Sequence, residues 1–227
     1  NVVDKYWDNL PDYFNGASSN MLCVVDTSGS MMGAPINVAI SLGMYCAEHL
    51  NGPFHNKYIS FASRPQLIDI EGVDFVDKVK RIYRTNLCDN TNLEAVFDLL
   101  LSTIVEKNIP KEDIPHTICV ISDMEIDSAT RKYCLYYPWE IKSWTKDSAV
   151  TEMEKIRNKW AAAGVELPKL VYWNVNARHN LFLDSGDSVS FVSGASPVLF
   201  KSVLTQKSGY ELMMEVLNGA DYADIKA

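Results

Sequence analysis

The chain lacks the excess of positive charge that nucleic-acid binding requires. Its 227 residues include 21 Lys and Arg against 29 Asp and Glu, a formal net charge of −8. A phosphate backbone is bound through a surplus of Lys and Arg. The densest basic stretch, KVKR at 78–81 followed by Arg84, is typical of a solvated helix face. We therefore expect no direct nucleic-acid binding by this domain.

Paired cysteines, secretion signals and membrane-length apolar runs are also missing. No asparagine lies in an N-x-[ST] sequon, and no apolar run approaches the length of a membrane span. The five cysteines are widely spread and include no C-x-x-C pair: Cys23, Cys46, Cys88, Cys119 and Cys134. These absences predict reduced thiols, no membrane association and an intracellular, cytoplasmic location. The chain begins without Met, and residues 1–20 are predicted to be an N-terminal lead-in that could be the end of a larger chain.

Sequence signatures of the common hydrolases are absent as well. There is no G-x-S-x-G elbow, no H-E-x-x-H helix and no Gly-rich phosphate loop. Asp26 ends a predicted strand, as in phosphatases with an aspartyl nucleophile, but Ser28 stands where their second acid would be. We expect no enzyme activity. A metal-dependent hydrolase acting on a phosphoester or acyl group is the alternative.

Apolar, strand-like runs alternate with helix-like stretches along the chain. The predicted order is β-α-β-β-α-α-β-α-β-β-α, which indicates a doubly wound, mainly parallel sheet with helices on both faces and one antiparallel edge strand. Residues 21–227 are predicted to form one such domain. An aromatic-rich insertion at about 125–148 interrupts the alternation. The predicted strands are 21–26, 57–62, 65–70, 116–123, 169–175 and 188–194, and the predicted helices are 35–50, 74–84, 92–107, 151–164, 196–204 and 209–219.

Oxygen-bearing side chains follow two of the predicted strands. In CVVDTSGSM (23–31) the strand ends at Asp26, and Ser28 and Ser30 follow; a second strand ends at Asp123. The carboxyl ends of parallel strands meet at one edge of the sheet, where ligands bind. Oxygen donors of this kind select Mg²⁺, with Mn²⁺ or Ca²⁺ possible. Hydroxyl ligands add little negative charge, so the predicted site would hold an ion that still attracts an anionic ligand from outside.

The motif DTSGS (26–30) resembles the metal-ion-dependent adhesion site of von Willebrand factor A domains. Two further stretches resemble the other signatures of those domains in the right order, DNTNLEAVFD at 89–98 and VISDME at 120–125. The resemblance implies that Ser28, Ser30 and Thr91 contact the ion. It also implies that Asp26 and Asp123 hold the water molecules around it.

A resemblance to a second family runs along most of the chain from about residue 21. The stretches that carry it are VVDTSGSM, SLGMYCAE, NTNLEAVFDLLL, ISDMEID, LVYWNVNA and VSFVSGASPVLFKSVL. They are similar to the carboxyl-terminal half of a family of large uncharacterised proteins, defined only as a domain of unknown function. A more distant likeness is to the metal-site domain of the Ro ribonucleoprotein autoantigen. Both resemblances imply the von Willebrand A fold and its metal site.

These observations predict a protein-binding module. Such a domain captures an Asp or Glu side chain of a partner protein through a bound Mg²⁺, and exposed residues around the ion set specificity. The predicted rim consists of Met31, Met32, Asp89, Trp139 and Trp144. The aromatic insertion has an alternative interpretation, a packed flap that covers the sheet. An accessory domain of a ribonucleoprotein, by analogy to the Ro family, is a further alternative function.

Overall fold

The structure is a computed structural model. It describes residues 2–14, 20–84, 92–123, 152–177, 181–184, 189–194, 199, 203–204 and 209–219. The predicted insertion at 125–148 and residue 196, where a predicted helix begins, lie outside the described residues.

The described elements follow the predicted order with two additions, the helix Val2–Asp8 and the strand Leu181–Asp184. The helices are α1 Val2–Asp8, α2 Ala34–His49, α3 Phe75–Arg84, α4 Leu93–Glu106, α5 Glu152–Ala162 and α6 Gly209–Leu217. The strands are β1 Met21–Asp26, β2 Lys57–Phe61, β3 Leu67–Asp69, β4 Thr117–Ser122, β5 Lys169–Asn174, β6 Leu181–Asp184 and β7 Val189–Ser193. Three short 3₁₀ turns lie at Gly29–Met31, Gly52–Phe54 and Lys111–Asp113.

The strands form one mixed sheet in the order β3-β2-β1-β4-β5-β7-β6. Strands β2, β1, β4, β5 and β7 are parallel, and the two edge strands are antiparallel to their neighbours. The predicted fold class is confirmed. One detail is corrected, because antiparallel strands lie at both edges rather than at one. The additional edge strand, β6, has only four residues and lacks the alternation of apolar and polar residues by which a strand is recognised.

Helices cover both faces of the sheet, which explains the continuous apolar runs of its central strands. Along β1, Cys23 and Val25 lie in the core shared with α2, whereas Leu22 and Val24 lie in the core shared with α4 and α5. All four side chains are buried. A strand buried on both faces has no polar face to present, so its sequence does not alternate.

Three local signals in the sequence correspond to helix ends in the structure. Pro35 lies in the first turn of α2, where its missing N–H leaves no hydrogen bond unmade. The Asn92 side chain caps α4 by accepting the amide N–H of Ala95 at 3.0 Å. Gly164 follows α5 with a φ of 69°, a backbone conformation that favours glycine at a helix C-terminus. The observed ends of α2 and α5 agree with the predicted helices 35–50 and 151–164 to within two residues.

Residues 2–14, here called the N-terminal strap, pack against α2 and α3. Asp4 accepts a hydrogen bond at 2.9 Å from the amide of the first residue of α3. The Trp7 indole donates to Glu48 of α2 at 2.7 Å, and the Tyr45 hydroxyl donates to a backbone carbonyl of the strap at 2.9 Å. The segment predicted as a lead-in is therefore part of the packed structure.

Buried, free thiols lie on the α2 side of the sheet. Cys23 and Cys119 are register partners on β1 and β4, and Cys46 on α2 belongs to the same core. All three are free, as predicted. Interaction with the Cys119 thiol, together with burial, raises the pKa of Cys23 well above its ordinary value. Interaction with the Cys23 thiol, together with burial, likewise raises the pKa of Cys46. Cys23 and Cys46 therefore stay protonated and behave as small apolar groups.

Candidate metal centre

The predicted acidic residues meet at the carboxyl edge of the sheet. β1 and β4 are adjacent and parallel, with Val25 opposite Ile121. Asp26 ends β1 and Asp123 follows the last residue of β4. Both carboxylates are buried, with exposed fractions of 0% and 8%. The sheet register thus brings together two acids that are far apart in the sequence.

Two hydrogen bonds hold the Asp26 carboxylate in place. Its Oδ1 accepts the amide N–H of Ser28 at 2.9 Å, and its Oδ2 accepts the hydroxyl of Ser122 at 2.6 Å. Burial raises the pKa of Asp26, and these hydrogen bonds oppose the rise, while the charge of Asp123 adds to it. Within the described part of the chain, no basic side chain forms an ion pair with Asp26. A nearby cation would offset the unfavourable burial of this charge.

The two serines of the motif lie side by side in the turn after β1. Ser28 precedes the 3₁₀ turn Gly29–Met31, and the Ser28 and Ser30 hydroxyl oxygens are 3.1 Å apart. Two neighbouring ligands of an octahedral Mg²⁺ at about 2.1 Å lie about 3.0 Å apart, since that distance is 2.1 Å multiplied by √2. The serine hydroxyls therefore fit adjacent positions around one ion of this size.

Carboxylates alone do not make a metal site here. Within the described ranges, no group of three or more His, Cys, Asp or Glu side chains is placed to hold a metal ion. Any ion at this edge would therefore depend on the serine hydroxyls as well as on Asp26 and Asp123. Hydroxyl ligands leave more of the ion's positive charge uncompensated than carboxylate ligands do. An ion held by this donor set would therefore still attract an anionic ligand from solution.

The methionines that follow the motif have opposite environments, which corrects one predicted rim residue. Met31 is fully buried in the core on the α2 side of the sheet, whereas Met32 is 78% exposed. The amide of Met31 donates to the carbonyl of Ser28 at 3.1 Å, and this tight turn directs the Met31 side chain inward. Met31 therefore anchors the serine loop to the core. Of the two methionines, only Met32 is available to a partner.

Four predicted site residues, Thr91, Asp89, Trp139 and Trp144, lie outside the described residues. Asn92 directly follows Thr91 in the chain and caps α4. α4 precedes β4, which begins at the opposite edge of the sheet, so the first turn of α4 lies at the carboxyl edge. The chain therefore reaches the edge that holds Asp26 and Asp123 immediately after Thr91.

Sequence reasoning missed Ser122, which contacts Asp26 directly. Ser122 is fully buried on β4 and is the last residue of that strand. The signal that could have found it is the pairing of VVD at 24–26 with VIS at 120–122. Once β1 and β4 are placed side by side in parallel, the register brings Ser122 opposite Asp26.

The family of the chain is shown by its sequence. The model of a family described as "Domain of unknown function (DUF7788)" matches residues 20–223. The chain belongs to this family. Another relative, the uncharacterized protein L728 of Acanthamoeba polyphaga mimivirus, is 27% identical over 208 residues. The match covers 89% of the chain but 34% of the viral protein, so the chain spans about a third of the length of that relative.

One of two similar solved structures shows the fold of this chain. The Ro (RSR) protein of Deinococcus radiodurans matches with a TM-score of 0.50 and 15% identity, over 86% of this chain and 36% of that one. An aerotolerance-related membrane protein of Bacteroides fragilis, crystallised with multiple mutations to serine, matches at 12% identity over 87% of this chain and 96% of that one. Its TM-score of 0.39 is too low to support a fold assignment. The likeness to the Ro protein shows that this DUF7788 domain has a von Willebrand A-like fold.

One further finding concerns the helices. In the part of the chain that the structure describes, none of them is both long enough and apolar enough to cross a membrane.

Proposed function

We propose that this DUF7788 domain binds a protein partner through a divalent metal ion at the carboxyl edge of its sheet. The observation that carries the proposal is the pair of serine hydroxyls 3.1 Å apart beside the buried Asp26 carboxylate. The von Willebrand A-like fold and the motif DTSGS support it, because that arrangement is the one by which the resembling domains hold their ion.

Each residue of the proposed centre has a distinct task. Ser28 and Ser30 supply hydroxyl ligands, and Thr91 would add a third. Asp26 is held by Ser122 and by the Ser28 amide. It keeps free lone pairs on both oxygens that can accept hydrogen bonds from water around the ion. Asp123 supplies the second negative charge.

The partner group follows from charge. Mg²⁺ is favoured over softer metals because all the proposed donors are oxygens. When bound, the ion would supply a positive charge to which an Asp or Glu side chain of a partner protein is attracted. The edge is partly shielded from water, so the attraction between opposite charges is stronger there than in bulk solvent.

Calorimetric titration with Mg²⁺ and Mn²⁺ tests the metal site. The wild-type chain should bind one ion, and Ser28→Ala combined with Ser30→Ala should remove binding while the thermal unfolding midpoint in chelator stays close to that of the wild type. Ser102→Ala is a matched control, since Ser102 is an exposed hydroxyl on α4. Equal binding by the wild type and the double variant would contradict the proposed ligands.

Partner capture is tested by pull-down from native lysate with and without EDTA. The expected result is a set of bound proteins that is present with Mg²⁺ and lost with EDTA or in the double serine variant. Partners retained equally in EDTA would contradict metal-dependent capture even if the ion binds. Turnover of a phosphoester or acyl substrate by the pure protein, lost in Asp123→Ala, would favour a hydrolase instead.

A further inference from the structure

Two cationic side chains near the end of α3 are exposed and have no acidic partner among the described residues. They are Lys80 and Arg84, here called the basic flank. Their neighbour Arg81 lies 3.5 Å from Glu71, and Lys78 forms an ion pair with Glu48 of α2 at 2.5 Å. Among the described residues, the flank therefore carries positive charge that no acidic side chain balances, on a chain whose net charge is −8.

The basic flank and the serine loop belong to the same edge of the molecule. β3 runs antiparallel to β2, so α3 starts at the amino edge of the sheet and ends at the carboxyl edge. The Tyr83 hydroxyl donates to Asn37 Oδ1 at 2.7 Å, which places the last turn of α3 beside the first turn of α2. α2 begins directly after the loop that carries Ser28 and Ser30.

Among the described residues, three exposed side chains lie between the serine loop and the basic flank. Met32, Asn37 and Tyr83 are exposed and connect the serine loop to Arg84 across the start of α2. An exposed methionine and tyrosine are residue types favoured in protein interfaces. The two positive charges would attract acidic groups and repel basic ones, which is how charges at the rim of an interface select a partner.

We propose that the partner segment is acidic beyond its one metal-binding carboxylate, and that its additional Asp or Glu side chains contact Lys80 and Arg84. This inference rests on the proposed function. A protein segment fits better than RNA, because two cations are few compared with the roughly six to ten phosphate contacts of a nucleic-acid binder.

An NMR titration of the ¹⁵N-labelled chain in saturating Mg²⁺ tests the inference. The probe is an end-blocked peptide of alternating Asp and Gly. A peptide of alternating Asn and Gly and a single-stranded RNA of equal charge are the comparison ligands. Amide signals of Met32, Tyr83 and Arg84 should move with the Asp peptide, and little with the Asn peptide or the RNA.

Charge variants separate the basic flank from the metal site. Lys80→Glu with Arg84→Glu should weaken Asp-peptide binding about tenfold, since four units of charge change at the rim. Neutralisation with Lys80→Gln and Arg84→Gln should weaken it about threefold. The control, Lys107→Glu with Lys111→Glu, makes the same charge change on exposed residues at the amino edge. It should change peptide affinity less than twofold.

The affinity for Mg²⁺ distinguishes failure of this inference from failure of the proposed function. Removing positive charge near a cation site should leave Mg²⁺ binding unchanged or make it stronger, while the affinity for the Asp peptide falls. Equal loss of peptide affinity in the flank and control variants would overturn the basic flank as a contact. Tighter binding of the RNA than of the Asp peptide would also overturn it. If the peptide bound equally in EDTA, the proposed function would fail while the flank could still be mapped.

Discussion

Replacement of Ser122 by alanine is the most direct test of how the centre is built. The substitution removes the hydroxyl that donates to Asp26 Oδ2 at 2.6 Å, in a position where both residues are fully buried. A hydrogen bond to a charged group contributes about 1.5–3 kcal/mol to stability. For a chain of 227 residues, each kcal/mol shifts the unfolding midpoint by roughly 2–4 °C. We therefore expect a decrease of about 3–12 °C in EDTA, measured by differential scanning calorimetry.

The same variant should also bind Mg²⁺ more weakly. A residue that hydrogen-bonds to a side chain of a metal site and orients it typically lowers metal affinity by about 10–100-fold when it is removed. Ser122→Ala should therefore lose affinity within that range in calorimetric titration. Ser102→Ala again serves as the control and should stay within about 0.5 kcal/mol of wild-type stability.

Two outcomes would contradict this account of Ser122. A stability loss no larger than that of Ser102→Ala would mean that the hydrogen bond to Asp26 contributes little. A large stability loss with unchanged Mg²⁺ affinity would mean that Ser122 supports the fold but does not position the metal site.

Five further substitutions test side-chain packing and helix capping by urea denaturation. Met31→Ala should cost about 2–5 kcal/mol because it leaves a cavity, whereas Met32→Ala should change stability by less than about 0.5 kcal/mol; similar losses would refute the opposite environments of the two. Gly43→Ala should cost about 1–3 kcal/mol, because the added Cβ would lie 2.5 Å from Cγ2 of Val25 in the core, and a neutral result would show that α2 can shift. Asp4→Ala should lower stability by uncapping α3, and a matching loss in Asp4→Asn would show that charge rather than capping matters.

Much of the fold was predictable because its signals are local. The apolar runs of β1 and β4 have one explanation, burial on both faces, and the helix ends at Pro35 and Gly164 follow from the backbone preferences of those residues. Helical periodicity also predicted α3 and α4 as two separate helices. The residues between them, 85–91, lie outside the described residues.

What could not be predicted depends on contacts between distant parts of the chain. Ser122 and Asp26 are 96 residues apart, and only the register of β1 against β4 brings them together. The inward direction of Met31 depends on the 3₁₀ turn that precedes α2, and adjacency in sequence suggested the opposite. α1 has seven residues, too few to be stable alone, and is held by its contacts with α2 and α3.

The packing of the N-terminal strap bears on where a fragment of this domain should begin. The family model begins at residue 20, but Tyr45 packs against strap residues Tyr13 and Phe14 and is 4% exposed. A fragment that starts at the family boundary would leave this tyrosine and the apolar surface around it in water, and would remove the cap from α3. Sequence similarity and side-chain packing thus place the edge of the folding unit at different residues, and a fragment for biophysical work should include the strap.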